Sequence, residues 1–180
     1  MAGIMKTIDV VLKIPEGLNY QLAFRVVRDA PFDIEARSDA RFVLAAGPGD
    51  LFPCLSQALG VFGLSGTVKA FAKLCTAKRM LYFTLTDNNI SHYGWINIGF
   101  CRGFHIEPNE VFIGPIETPP KYRGHGLATF AMKHALNALL QRGFKIVYGN
   151  AQWDNHASIK VMEKCGFGAP VTAYLKGKDE

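Results

Sequence analysis

"PKYRGHGLATF", residues 120–130, joins a β-rich stretch to the strongest helical pattern in the chain. It places two glycines, Gly124 and Gly126, directly after an arginine and directly before an apolar run. The start of a helix presents unpaired backbone N–H groups and the positive end of the helix dipole, and glycines let a ligand approach them closely. Arg123 adds a charge that can pair with phosphate oxygens. The stretch therefore predicts a phosphate or diphosphate cradle at the beginning of a helix.

Other glycine loops fit this stretch less well. The Walker pattern GxxxxGK[ST] does not occur in the chain. The dinucleotide fingerprint GxGxxG would need a glycine where Thr129 stands, and Lys145 lies near the place of its acidic ribose-binding residue. A nicotinamide-dependent enzyme is therefore the weaker nucleotide interpretation. A plain glycine turn before a helix is the alternative that the loop by itself leaves open.

The sequence on either side of the loop predicts a mixed α/β sheet. Gly114–Pro115 interrupts a β-rich stretch, and because proline lacks the N–H that a strand ladder needs, we expect a bulge or a splayed strand pair there. Antiparallel hairpins lead into a β-α-β crossover, with helices on the faces of the sheet. In chain order, the predicted elements are short strands at 20–29 and 40–50, helical segments at 50–63 and 65–80, strands at 79–86, 90–100 and 110–118, a helix at 126–143, a strand at 144–150, a helix at 154–167 and a strand at 168–176.

Two motifs in this frame resemble the signatures of the GNAT superfamily, the acetyl-coenzyme A-dependent N-acetyltransferases. Arg-x-x-Gly-x-Ala at 123–128 is similar to the pattern R/Q-x-x-G-x-G/A, and "NHASIKVMEKCGF" at 155–167 is similar to N-x-x-S/A followed by E-K-x-GF. The resemblance covers roughly residues 80–170, and the first 75 residues carry no motif. It implies one GNAT-like domain over 1–180, with a central, mostly antiparallel twisted sheet, a splayed βαβ cofactor site and helices on both faces.

The resemblance also implies acetyl-coenzyme A (acetyl-CoA) as the co-substrate and no metal. Its diphosphate would lie on the backbone N–H groups of residues 124–128, and its pantetheine arm would run along strand 110–118. Asn155 would face the pantetheine or the acetyl end. The implied cofactor-binding residues are Ile116, Thr118, Arg123, Gly124, His125, Gly126, Leu127, Ala128 and Asn155.

Acetyl transfer to an amine needs a base for the amine, a donor for the carbonyl oxygen and a proton for the leaving thiolate. The candidates for the base are Glu110 and Glu117, which flank the third predicted strand, and His92, whose ordinary pKa suits the role. The N–H of Thr118 is our choice for the donor.

The proton donor is the main departure from the family pattern. A tyrosine often stands on the second helix of the family, four residues before the glycine of the GF pair, and Met162 occupies that position here. Methionine cannot donate a proton. Another residue, water or unaided departure of the thiolate are the alternatives, and the nearby tyrosines are Tyr93, Tyr148 and Tyr174.

The function implied is transfer of an acetyl group to a primary amine of a small polar acceptor, such as an amino sugar, by direct attack in a ternary complex. The acidic residues of the segment 29–39 either attract a cationic amine or are solvated. A non-catalytic acyl-CoA-binding sensor is the alternative of a different class, and Met162 favours it. A homodimer stays open, by analogy with relatives.

Composition and charge limit the classes of ligand, partner and cellular compartment that fit the chain. The 180 residues carry a net charge of +5, from 20 basic and 15 acidic residues, which fits an anionic ligand and does not indicate nucleic acid. Lys69 and Lys73 share one side of a predicted helix, where they either contact an acidic ligand or are solvated. Four cysteines without a CxxC pair, no signal peptide and no apolar run of about 20 residues predict a cytoplasmic protein with reduced thiols and no membrane contact.

Overall fold

A seven-stranded mixed sheet forms the centre of the protein, in a computed structural model that describes residues 20–175. The strands are β1 (Tyr20–Val27), β2 (Arg41–Ala45), β3 (Arg79–Thr86), β4 (Asn89–Ile98), β5 (Val111–Glu117), β6 (Ile146–Gln152) and β7 (Pro170–Leu175). They follow the order β2-β3-β4-β5-β6-β1-β7 across the sheet. Of the described strand pairs, only β5–β6 is parallel, and the other neighbours are antiparallel. The mixed, mostly antiparallel sheet is thus confirmed.

Among the described residues, three α-helices cover the two faces of this sheet. They are α1 (Leu55–Leu74), α2 (Leu127–Gln141) and α3 (His156–Lys164), with short 3-10 turns at Pro48–Cys54 and Pro120–Tyr122. The two helical segments predicted before residue 80 form one element, α1, which bends at Gly63, whose φ of 65° is a left-handed conformation that glycine adopts readily. The predicted helix after the glycine loop is confirmed as α2, and Gly143, with a φ of 86°, follows its end.

Each face of the sheet has its own hydrophobic core. Below α2 and α3, the core contains Leu22, Phe24, Tyr82, Ile96, Ile113, Met132, Leu139 and Met162. Below α1, it contains Leu51, Ala58, Leu74, Leu81, Phe83 and Trp95. Because successive residues of a strand point to opposite faces, the apolar runs of β3 and β4 supply both cores at once.

The helical segment Pro48–Leu74 is the one described helix whose length and composition alone would allow it to cross a membrane, with a mean hydropathy of 1.4. This differs from the expectation that no apolar run is long enough. Ala58, Ala70 and Leu74 are buried against the sheet, but only 22% of the apolar window of this segment is buried. Phe52, Leu64 and Val68 stay exposed on the same segment.

The N-terminal strand β1 lies between β6 and β7 and pairs with both. The part of the chain without a motif therefore supplies a strand inside the sheet. On the α1 face, this strand places Gln21 beside Gln152 of β6 and Tyr174 of β7.

The pairing of β5 with β6 stops early. Their ladder ends at Ile113 and Gly149, although both strands continue. On the other side of β5, the register with β4 shifts between Gly94 and Ile96. Both irregularities lie at the level of Gly114–Pro115, where a bulge or a splayed strand pair was expected, and that expectation is confirmed. The two strands part here and open a gap through the sheet.

Candidate active site

Two cavities meet at the gap between β5 and β6. The glycine-loop cavity, about 580 Å³ in volume, is lined by Gly124, Gly126 and the first turn of α2. The aromatic cavity, about 540 Å³ in volume, lies on the α1 side and is lined by Trp95, Phe100, Phe112 and Tyr174. Ile116, Asn155 and Ser158 line both cavities. A molecule that fills the first cavity can therefore reach the second through the gap.

The beginning of α2 offers free backbone donors to the glycine-loop cavity. The first helical hydrogen bond runs from Phe130 N to Gly126 O, at 3.0 Å, so the amides of Leu127, Ala128 and Thr129 have no helical partner. Gly126 caps the helix in a left-handed conformation, no side chain caps it, and its first turn holds no acidic residue. A Cβ at Gly124 would have no atom within 4 Å, so the loop leaves open space for a ligand.

The helix α3 differs in this respect, because its own sequence satisfies its first turn. Asn155 Oδ1 accepts a hydrogen bond from Ser158 N at 3.1 Å, as an N-cap asparagine does. Of the two helices at the cavity, only α2 therefore begins without a side-chain cap.

Several cations surround the open amides. Arg123, Lys160 and Lys164 line the cavity, and Arg123 Nε donates to Thr118 O at 3.0 Å. Arg37 comes from the connection between β1 and β2, and its Nη1 donates to His125 O at 2.9 Å. The loop therefore combines free backbone donors with positive charge, the two features that bind a diphosphate.

Arg37 is a residue that the sequence did not single out, and it contacts the glycine loop without lining the cavity. It pairs with Asp39 at 2.7 Å, and this partner raises the pKa of the guanidinium. The segment that carries it was considered only as a part of an acceptor pocket. Its contact with the glycine loop joins residues 88 positions apart, and no local pattern signals such a contact. None of the acidic residues in segment 29–39 lines either cavity.

All of the predicted cofactor-binding residues except His125 line the glycine-loop cavity. His125 contributes its backbone carbonyl, which holds Arg37, while its side chain is exposed. Among the described residues, no group of three or more His, Cys, Asp or Glu could hold a metal ion.

Two of the three predicted base residues line this cavity. His92 Nδ1 lies 2.7 Å from Thr118 Oγ1, while its Nε2 is buried with no hydrogen-bond partner in the described structure. Burial lowers the pKa of His92 to about 4, so its imidazole is neutral at physiological pH. Glu117 accepts a hydrogen bond from the Tyr93 hydroxyl at 2.5 Å.

Glu110 lies elsewhere, just before β5 and outside both cavities. It is only 8% exposed. Its carboxylate accepts from Glu107 N at 2.9 Å and from the Tyr148 hydroxyl at 3.3 Å. These bonds hold the turn that leads into the strand.

Polar side chains cross the floor of the aromatic cavity at the level of the gap. Asn97 Nδ2 donates to Gly114 O at 2.9 Å. Asn150 Nδ2 donates to the Tyr174 hydroxyl at 2.8 Å and to Gln21 Oε1 at 3.1 Å. Met162, in contrast, is fully buried and lines neither cavity. A hydroxyl group is thus present at the gap, on β7 rather than on α3.

The comparison with protein families agrees with this geometry. The family model described as acetyltransferase (GNAT) family matches residues 67–167, more than half of the chain. The chain belongs to the GNAT acetyltransferase family. The resemblance drawn from residues 123–128 and 155–167 is therefore confirmed. The family and its fold are those of an acyl-CoA-dependent acetyltransferase.

Solved structures share the GNAT fold with this chain. A tandem GNAT protein from the clavulanic acid biosynthesis pathway is 18% identical, with a TM-score of 0.64 over 95% of this chain and 56% of that one. An aminoglycoside N-acetyltransferase, AAC(6')-Iy, solved in complex with CoA, is 15% identical, with a TM-score of 0.58 over 82% and 99%. An aminoglycoside antibiotic 6'-N-acetyltransferase from Acinetobacter baumannii is 18% identical, with a TM-score of 0.53 over 78% and 99%.

These identities are low, so the likeness is one of fold. The GNAT chain described here spans little more than half the length of the tandem protein. A comparison with curated protein sequences gives no match.

Proposed function

We propose that this GNAT protein transfers the acetyl group of acetyl-CoA to a primary amine of a small polar acceptor, by direct attack in a ternary complex. The observation that carries the proposal is the meeting of the two cavities at Ile116, Asn155 and Ser158. A thioester donor held in the glycine-loop cavity and an amine held in the aromatic cavity would face each other at that point. Holding both reactants in place supplies much of the rate gain of such a reaction.

The donor is acetyl-CoA in this proposal, and the residues of the glycine-loop cavity fit it. The free amides of Leu127, Ala128 and Thr129 would bind the diphosphate, and Arg37 and Arg123 would add charge. The cavity then continues past Thr118 and Ile116, along the part of β5 that has lost its partner β6. Free backbone groups on this edge are available to a pantetheine arm.

Glu117 is our choice for the general base, acting through a water molecule. It lines the glycine-loop cavity next to Ile116, whereas Glu110 lies outside both cavities. His92 is the weaker base, because burial lowers its pKa to about 4. Its hydrogen bond to Thr118 Oγ1 suggests a positioning role for the strand end that would supply the oxyanion donor, the N–H of Thr118.

Tyr174 is our choice for the proton donor to the leaving thiolate. Its hydroxyl is held by Asn150 at the gap, and it lines the aromatic cavity. The position expected from the family, Met162, is buried in the core. A tyrosine on β7 would therefore take over the role from the opposite wall of the gap.

Calorimetry and a thiol assay test this proposal. We expect acetyl-CoA to bind and NAD not to bind, and we expect free thiol to appear above the buffer rate when amines are added. Binding without thiol release from any amine would favour a non-catalytic acyl-CoA sensor, the second candidate, which the burial of Met162 supports. Binding of NAD in place of acetyl-CoA would contradict both.

The remaining parts of the proposal concern the chain as a whole. We propose that residues 1–180 act as one domain in the cytoplasm, on a small-molecule amine, with neither nucleic acid nor membrane as a partner. A homodimer is compatible with the proposal, and its mass in solution would be measured by light scattering.

A further inference from the structure

The aromatic cavity is positively charged. Three cationic side chains line it, each from a different part of the chain: Lys73 from α1, Arg79 from β3 and Arg102 from the connection after β4. No aspartate or glutamate lines the cavity among the described residues. The three side chains thus meet at one space, and none of the described residues that line it carries a carboxylate.

Aromatic rings hold two of these cations in place. Lys73 Nζ lies 4.7 Å from the ring centre of Trp95, and Arg79 Cζ lies 4.8 Å from that of Phe100. Neither cation forms an ion pair with a carboxylate in the described structure. A cation on a ring face keeps its charge, and the ring restricts the position of its side chain. These two groups therefore lose less conformational freedom when they bind an anion.

The charges also act on one another. The pKa of Lys73 is lowered, first by burial and then by the positive charges of Arg79, Arg102 and Lys69. Groups that repel each other in this way gain free energy when an anion binds between them. An anion between these groups would reduce their mutual repulsion, which favours the binding of a negatively charged molecule.

We propose that the acceptor amine carries an anionic group, a carboxylate or a phosphate, which Lys73 and Arg79 bind. This inference rests on the proposed function, since it assigns the aromatic cavity to the acceptor. The aromatic walls take the body of the molecule, and the amide side chains of Asn97 and Asn150 lie near the gap, where the amine must be. A polycationic acceptor of the aminoglycoside kind would meet like charges here and is excluded by the proposal.

The same charges assist the reaction. A positive environment lowers the pKa of a bound ammonium group, so more of the acceptor is present as the free amine. The amine nitrogen then forms its bond to the acyl carbon, and the carbon–sulfur bond breaks with its electron pair on sulfur. The nitrogen loses one proton to the base, and the thiolate receives one from the proton donor.

Matched pairs of amines test the proposal. Glucosamine is compared with glucosamine 6-phosphate, phenethylamine with phenylalanine, and kanamycin serves as the polycation. We measure kcat/KM by thiol release at low salt and at 0.5 M salt. We expect at least one anionic member to exceed its neutral partner by about tenfold or more, and this preference to shrink at high salt. Comparing the two pairs distinguishes a phosphate from a carboxylate.

Two variants locate the effect. Lys73→Met and Arg79→Gln are expected to lose the preference for the anionic amine while they keep the affinity for acetyl-CoA. The matched control is Lys78→Gln, which removes an exposed cation beside Arg79 that lines neither cavity. It is expected to keep the preference.

A second measurement distinguishes a failure of the inference from a failure of the proposed function. Each amine is titrated into the protein saturated with CoA, and binding is compared with thiol release. Thiol release that favours a neutral or polycationic amine overturns the inference and leaves the acetyltransferase intact. Binding of an anionic amine that Lys73→Met abolishes, without any thiol release, supports the inference and contradicts the proposed function. If no anionic amine binds and none is acetylated, the inference is overturned.

Discussion

Asn150 Nδ2 donates a hydrogen bond to the Tyr174 hydroxyl, at 2.8 Å, on the floor of the aromatic cavity. Asn150 belongs to β6, one of the two strands that part at the gap, and Tyr174 belongs to β7. Between their strands lies β1, which carries Gln21, the second acceptor of the Asn150 amide. A residue near the end of the described chain thereby reaches the point where the two cavities join.

The first prediction concerns the proton donor. Replacing Tyr174 by Phe removes the hydroxyl and keeps the ring, so we expect kcat to fall by roughly 10²-fold and the Kd for acetyl-CoA to stay unchanged. Tyr148→Phe is the control, because the Tyr148 hydroxyl bonds Glu110 outside both cavities. Steady-state thiol release measures kcat, and calorimetry measures binding. An unaltered kcat in Tyr174→Phe would contradict the assigned role.

The second prediction concerns Arg37. Its guanidinium stands at the carbonyl of His125, next to the cradle. We expect Arg37→Ala to weaken acetyl-CoA binding by about fivefold, roughly 1 kcal/mol, with a smaller effect at high salt. Arg41→Ala, which removes an exposed arginine that lines neither cavity, provides the control. Equal affinities of the two variants in calorimetry would show that Arg37 does not contribute.

The third prediction concerns stability in acid. Burial lowers the pKa of His92 to about 4, from an ordinary value of 6.5. The unfolded chain therefore takes up this proton first, and the free energy of unfolding falls as the pH decreases from about 6.5 toward 4. Since one pKa unit corresponds to about 1.4 kcal/mol, the loss approaches about 3 kcal/mol at the acid end.

Urea unfolding of the wild type and His92→Gln at several pH values measures this loss. The variant should lack the part of the slope that comes from His92, and His156→Gln, which alters an exposed histidine, should retain it. Parallel pH profiles of the wild type and His92→Gln would contradict the prediction.

The fourth prediction concerns the cradle. Gly126→Asp places a side chain and a negative charge at the open amides, so we expect acetyl-CoA binding to weaken by well over tenfold. Gly126→Asn is the control of nearly equal size, and asparagine tolerates the left-handed conformation of this residue. It should lose less affinity than Asp. Folded Asp and Asn variants of equal affinity would show that charge at this position is unimportant.

The sequence predicted those parts of the protein whose signal is local. The glycine loop, the start of α2 and the interruption at Gly114–Pro115 each depend on a few neighbouring residues with special backbone properties, and the structure has all three. The cation at Lys73 was visible as one side of a helix, with its role left open. The family motifs predicted a set of cofactor-binding residues, and all of them except His125 line the glycine-loop cavity.

The rest depends on contacts between distant parts of the chain. Arg37 reaches the loop across 88 positions, and β1 enters the sheet between two strands from the other end of the chain. The charge of the aromatic cavity arises when α1, β3 and a connection each bring one cation to the same space. The face of the sheet to which each side chain points depends on the register of the strands, which the sequence does not reveal. For this reason the sequence could not predict that Glu110 lies outside both cavities.

The most direct test of the central claim is a crystal structure of the protein with acetyl-CoA. We predict that the diphosphate lies within hydrogen-bond distance of the backbone amides of Leu127, Ala128 and Thr129, with the thioester at the gap beside Ile116. Ordered density for the diphosphate at any other place on the molecule would contradict this prediction.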